Sequence, residues 1–275
     1  MIVDAHFHCW RLDRADYGWL TPALAPIYRD VSIADWQARA LPLGVHAGVL
    51  VQAAPTQAET EFLLDQAEAH DVVRGVVGWL DLLAPDAPRR IGSLAASRPR
   101  LKGLRPMLQD IGDPDWILQP ALAPALDAMA ECGLVFDALI QPRHLRRILV
   151  LCQRHPALRV VVDHGAKPAI AQGLWQPWAD DLRLLARDTQ AVCKMSGLLT
   201  EAGPRPPRDV ALRWIAHLLD VFGPQRMLWG SDWPVLELAA TYDDWWADTH
   251  TALAGLTAAD RAAVLGGNAM QVYRL

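Results

Sequence analysis

Lysine is almost missing from this chain. Only Lys102, Lys167 and Lys194 occur in 275 residues, and every other basic residue is arginine. No basic run exists and the formal net charge is -5. A nucleic-acid partner is therefore not expected, because it needs a basic patch or stripe. Nothing approaches the ~20 uninterrupted apolar residues of a membrane span. A secretory leader would need apolar residues where Asp4 and His6 stand. Cysteine is scarce, and Cys9, Cys132, Cys152 and Cys193 lack metal-type spacing. That usage predicts a reduced, cytoplasmic setting. No linker rich in Gly, Ser or Pro divides the sequence, so residues 1–275 read as one domain. Apolar residues are plentiful: 52% of the chain is hydrophobic and 21% charged, the balance of a core-forming protein. Tryptophan also abounds, with twelve against four each of Phe and Tyr. Indoles serve core packing and helix docking, or wall a cleft with a flat apolar face and one donor.

Eight short apolar runs read as strands, at residues 2–6, 48–52, 75–80, 101–105, 134–140, 159–163, 191–195 and 227–231. Most are continuous rather than alternating, as strands buried on both faces should be. Helix-like segments separate them, one starting after Ser32 as N-cap and others over 55–70, 85–97, 120–132, 143–155, 176–187 and 207–222. Residues 11–30 have no periodicity and read as a long loop over one end. The tail, 257–275, reads as a helix, a Gly266-Gly267-Asn268 break and a last helical turn. Eight βα units in this length predict an α/β fold, a single (β/α)8 TIM barrel. A doubly wound sheet uses the same alternation but announces a Gly-rich phosphate turn after its first strand. Here that strand runs into His6-Phe7-His8-Cys9-Trp10, which cannot cradle a phosphate.

Chemistry in such a barrel collects at the C-terminal strand ends. On the first strand His6 and His8, at i and i+2, point to one side about 7 Å apart. Later ends supply Gln52, Asp81, Lys102 with Arg105, Asp137 with Gln141, His164, Lys194 with Ser196, and Asp232. His6, His8, His164 and Asp232 form a set of three imidazoles and one carboxylate, suited to one divalent metal ion such as zinc. Asp163, next to His164, is expected on the opposite face as a structural partner.

Three stretches carry a resemblance: Asp4-Ala5-His6-Phe7-His8; Val161-Val162-Asp163-His164-Gly165-Ala166-Lys167-Pro168; and Gly230-Ser231-Asp232-Trp233-Pro234. With Lys102–Pro106 and Gly267–Ala269, and over essentially the whole chain, the sequence resembles the amidohydrolase superfamily. It is most similar to the branch of metal-dependent barrel hydrolases that includes sugar lactonases of L-fucono- and L-rhamnono-lactone. The resemblance implies hydrolysis of a small sugar-acid lactone, with His6, His8, His164 and Asp232 as the catalytic constellation. It departs from two-metal relatives, because the fifth strand offers Asp137 and Gln141 where they carry histidine. One ion is expected, and some related lactonases dispense with it. In this reading Asp232 is the general base that later returns the proton to the leaving oxygen, and His164 is its catalytic neighbour. Lys102, Arg105 and Lys194 are candidate donors to the carbonyl oxygen or the substrate hydroxyls, with salt bridges as the alternative. Trp10, Trp19 and Trp233 are candidates to wall the sugar pocket. The alternative activity is metal-dependent decarboxylation of an aromatic or unsaturated acid, with Arg105 gripping the carboxylate. A non-catalytic sugar-binding barrel is a third reading. The chain is expected to be a monomer or small homo-oligomer.

Overall fold

The apolar runs form eight parallel strands in the computed structural model, which describes residues 1–207 and 209–275. They are β1 (Ile2–Phe7), β2 (Val45–Val51), β3 (Val73–Gly78), β4 (Leu101–Leu104), β5 (Val135–Ala138), β6 (Arg159–Val162), β7 (Val192–Met195) and β8 (Met227–Trp229). Each pairs with the next in sequence order. Beyond β8 the chain continues alongside β1. Asp232 N–H donates to His6 O at 2.8 Å and His8 N–H to Trp233 O at 2.8 Å, which draws the last strand against the first. The sheet is thus the nearly closed (β/α)8 barrel that the spacing predicts.

The helices that follow the strands are α1 (Ile33–Ala40), α2 (Gln57–Ala69), α3 (Ala87–Ser97), α4 (Ala123–Glu131), α5 (Leu145–Arg154), α6 (Trp178–Asp188), α7 (Leu198–Glu201), α8 (Leu212–Phe222), α9 (Tyr242–Ala252), α10 (Ala258–Ala262) and α11 (Asn268–Tyr273). Ser32 caps α1 in a reciprocal capping box with Asp35, and Thr241 caps α9 with Asp244. No helix among the described residues is long and apolar enough to cross a membrane.

Strand alternation sorts the core into two layers. Val3, Ala5, Val49, Val77, Val135, Val161 and Leu228 meet inside the barrel, and Ala269, Val272 and Tyr273 of α11 close its lower end. Their neighbours in sequence pack outward on the helices. Burying one such side chain contributes about 1.5–3 kcal/mol. An apolar filling would therefore suit the interior throughout, and the charged layer above it calls for another reason.

That layer begins at an irregularity in β1. The β1–β2 register shifts between Asp4 and Phe7, so Ala5 and His6 both face inward. Asp4, between inward Val3 and Ala5, turns out of the barrel by ordinary alternation, and its carboxylate accepts from Trp36 Nε1 at 3.0 Å, Ser231 Oγ at 2.6 Å and the Tyr242 hydroxyl at 3.0 Å. One buried carboxylate thereby fixes α1 and α9 against the end of β8.

Candidate active site

At the C-terminal strand ends, three imidazoles meet one carboxylate oxygen. Asp232 Oδ1 lies 3.3 Å from His8 Nε2, 3.5 Å from His6 Nε2 and 3.7 Å from His164 Nε2. All four side chains are buried. Backbone conformation achieves part of this. His164, Gly165, Ala166 and Lys167 all take left-handed φ values, between +50° and +63°, and Asp232 has φ +58°. Each such non-glycine residue costs about 1–2 kcal/mol, and strain of this kind gathers where a site demands it. Gly197, at φ +64°, makes room: a Cβ there would stand 2.6 Å from His164 Nδ1.

Hydrogen bonds define which nitrogen faces inward. His8 Nδ1 lies 2.7 Å from Val51 O, and a carbonyl only accepts, so Nδ1 carries the proton. The other ring nitrogen, Nε2, is thereby aimed at Asp232 Oδ1. Two acceptors at 3.3 Å need a cation or a proton between them. His164 Nδ1 is 2.8 Å from Ser196 Oγ. Burial pushes His164 down to about 4, so it is neutral near pH 7. Burial also pushes the Asp232 carboxyl up, but His164, His8 and His6 more than offset this and hold it well below the usual carboxylate range.

Beneath the imidazoles lies a buried ionic layer. Lys194 Nζ contacts Asp137 Oδ2 at 2.5 Å, Asp163 Oδ1 at 3.0 Å and His6 Nδ1 at 3.2 Å. Arg105 reaches Asp163 at 3.3 Å and also donates to Gln52 O. From below, the Tyr273 hydroxyl lies 2.9 Å from both Asp137 oxygens. Burial raises Asp163, yet Lys194 and His6 hold it well below its ordinary value. Burial pushes the second carboxyl on the same ammonium, Asp137, up to about 6.

A cavity of about 320 Å³ opens above the cluster, with His8, His164, Asp232 and Arg105 at its base. Trp19, Gln109, Lys167 and Glu201 are among its walls. A larger space of about 570 Å³ sits at the opposite barrel end, near Arg159, Arg226 and Asn268, and contains none of the candidate residues.

Of the residues singled out from sequence, His6, His8, His164 and Asp232 are brought together, with Arg105 beside them and Trp19 on the wall. Four others stand elsewhere. Lys102, the second residue of β4, lies near the lower end and donates to Arg274 O at 3.1 Å. Lys194 is wholly buried under His6 and does not line the cavity. Trp10 and Trp233 are also fully buried, their indole N–H groups given to Arg29 O at 2.8 Å and Glu237 Oε1 at 2.8 Å. Asp163 reverses the expected placement. Alternation from inward Val161 points Asp163 inward, and the left-handed turn after it swings His164 back to the same side.

The loop over the mouth is fastened by a group the sequence does not mark. The Tyr17 hydroxyl donates to Glu59 Oε2 at 2.6 Å, and Glu59 Oε1 accepts from Ala53 N–H at 3.1 Å. The Ala53 carbonyl in turn accepts from Trp19 Nε1 at 2.7 Å. Burial pushes Glu59 up to about 7 from an ordinary 4.5. Between those values the folded protein keeps a proton that the unfolded chain has lost, so stability falls as pH rises through this window. We expect Glu59→Gln to flatten the fall between pH 5 and 7, as read by chemical denaturation. An unchanged slope would show that Glu59 is not its source.

Known proteins resemble this chain in sequence and fold. The amidohydrolase family profile matches residues 3–275. The chain belongs to the amidohydrolase family. It is 44% identical to an L-fucono-1,5-lactonase of Burkholderia ambifaria, over 99% of this chain and 95% of that protein. An L-fucono-1,5-lactonase of Burkholderia multivorans is 36% identical, over 99% of this chain and 96% of that one. A crystal structure of a Burkholderia multivorans amidohydrolase with bound zinc superposes with a TM-score of 0.92 at 35% identity, covering 100% of this chain and 99% of that one. The superfamily is metal-dependent, and the present amidohydrolase holds two overlapping sets with ligand geometry: His6, His8 and Asp232, and His6, Asp163 and His164. In each, the ligand atoms lie within 4.8 Å of one another. Imidazole nitrogens and a carboxylate oxygen converging at this spacing fit a bound cation. The second set is less available, since Asp163 already answers Lys194 and Arg105.

Proposed function

We propose that this amidohydrolase opens the ester ring of a sugar-acid lactone by attack of water. The observation that carries the reading is the convergence of three imidazole nitrogens on Asp232 at the base of a cavity sized for one small ring. The L-fucono-1,5-lactonase relatives supply the substrate class. Asp232 takes a proton from water as the oxygen attacks the lactone carbonyl carbon. It returns that proton to the ring oxygen as the carbon–oxygen bond breaks, giving the open hydroxy acid. The histidines that keep Asp232 ionised also leave it a weak base. His6, His8, His164 and Asp232 would hold one divalent ion, zinc being the first candidate, and such an ion would supply Lewis acidity toward the carbonyl and toward water. His8 keeps its donor tautomer through Val51, and His164 is oriented through Ser196.

Decarboxylation is less supported, because the relatives at 44% and 36% identity are lactonases. Arg105, the residue that would grip a carboxylate, is already paired with Asp163. The test is a pH-indicator screen over aldono-1,4- and 1,5-lactones, with and without chelator, beside carbon dioxide release from aromatic acids. We expect acid release from lactones alone, reduced by the chelator. Carbon dioxide without lactone opening would overturn the assignment.

A further inference from the structure

The left-handed turn after β6 places a second side chain at the cavity. His164 and Lys167 are its first and last residues, both on the cavity lining. Lys167 Nζ meets Glu201 Oε1 at 2.8 Å, and each side chain remains 24% exposed. This pair is not needed as a strut. The same two segments are already joined by their main chains, with Ala171 N–H donating to Glu201 O at 3.0 Å. A partly exposed ion pair adds little stability, yet the backbone accepts left-handed φ at both Ala166 and Lys167 to present it. Gln109 also lines the cavity, and its amide oxygen is buried without a hydrogen-bond partner among the described residues.

We propose that the Lys167–Glu201 pair is the subsite that reads the ring hydroxyls of the substrate. An ammonium offers three donors and no acceptor, while a carboxylate only accepts. Adjacent hydroxyls, which both donate and accept, match such a couple. An unsubstituted lactone presents nothing to either. This inference rests on the lactonase reading and adds to it which residues separate a sugar lactone from a plain one.

The test compares L-fucono-1,5-lactone with δ-valerolactone in the full-length protein and in Lys167→Met, Lys167→Asn and Glu201→Gln. Asparagine tolerates the left-handed conformation, so Lys167→Asn removes the ammonium while keeping the turn. Losing charge-assisted hydrogen bonds should lower kcat/KM for the sugar lactone about 10- to 100-fold more than for the plain one. Most of that loss should lie in KM, and Lys167→Arg should restore part of it. Equal losses on both lactones, or no loss on either, would overturn the subsite alone. An unaltered protein that opened neither lactone would overturn both the subsite and the lactonase reading.

Discussion

Asp232→Asn is expected to lower kcat for lactone opening by about 10²- to 10⁴-fold, the usual contribution of a positioned general base. The amide keeps the size of the carboxyl and removes the ability to take a proton. It also puts an amide where three imidazole nitrogens, at 3.3–3.7 Å, now face a negative charge. Affinity for the product acid, measured by calorimetry, should change far less than kcat, because the Lys167 wall is untouched. That contrast separates an enzyme from a barrel that only binds sugar. The pH profile gives a second reading of the same residue. Because Asp232 is held below the ordinary carboxylate range, kcat/KM should show no loss from its protonation between pH 5 and 8. A variant turning over within tenfold of the unaltered protein would remove Asp232 from the mechanism.

Much of this is legible in the chain because a (β/α)8 barrel converts sequence order into position. Continuous apolar runs mark eight strands, and any residue just past a run has to lie at one rim. His6, His8, His164 and Asp232 follow from that logic. The failures share a cause, since the same logic says little about direction or depth. Lys102 and Arg105 fall in one short apolar run, but the two residues between them, Gly103 and Leu104, separate the lower end from the site. Simple alternation gives Asp163 and His164 opposite faces, and a left-handed turn, signalled only by Gly165, puts both at the site. Trp10 and Trp233 have the composition of a pocket wall, and only packing shows that their rings are internal. The Tyr17–Glu59 clasp joins residues 42 apart with no local pattern. Helix α9 is hidden because adjacent Trp245 and Trp246 and its three aspartates blur the apolar stripe.

Lys194→Met should be the most damaging single change to the fold. The ammonium is the one cation that touches both Asp137, at 2.5 Å, and Asp163, at 3.0 Å, among the described residues. Methionine keeps most of the volume and leaves Asp137 buried without a cation and Asp163 with Arg105 as its remaining cation. Breaking a buried pair from one side costs about 3–5 kcal/mol, well above the value of an exposed salt bridge. The loss should depend on pH in a defined direction. Without the lysine, Asp163 keeps Arg105 and His6, but Asp137 keeps only the Tyr273 hydroxyl against burial and the neighbouring carboxylate, so Asp137 rises further above its ordinary 3.8. The folded variant then holds protons that its unfolded chain has released, so its deficit should grow as pH rises from about 4. Chemical denaturation at pH 5 and pH 8 should show the larger gap from the unaltered protein at pH 8. Adding Asp137→Asn to Lys194→Met removes the stranded charge and should recover part of the stability. A deficit below about 1 kcal/mol, the range of an exposed salt bridge, or one that shrinks toward pH 8, would mean that Lys194 does not neutralise this layer. The imidazole cluster would then need another support, since His6 rests directly on the lysine at 3.2 Å.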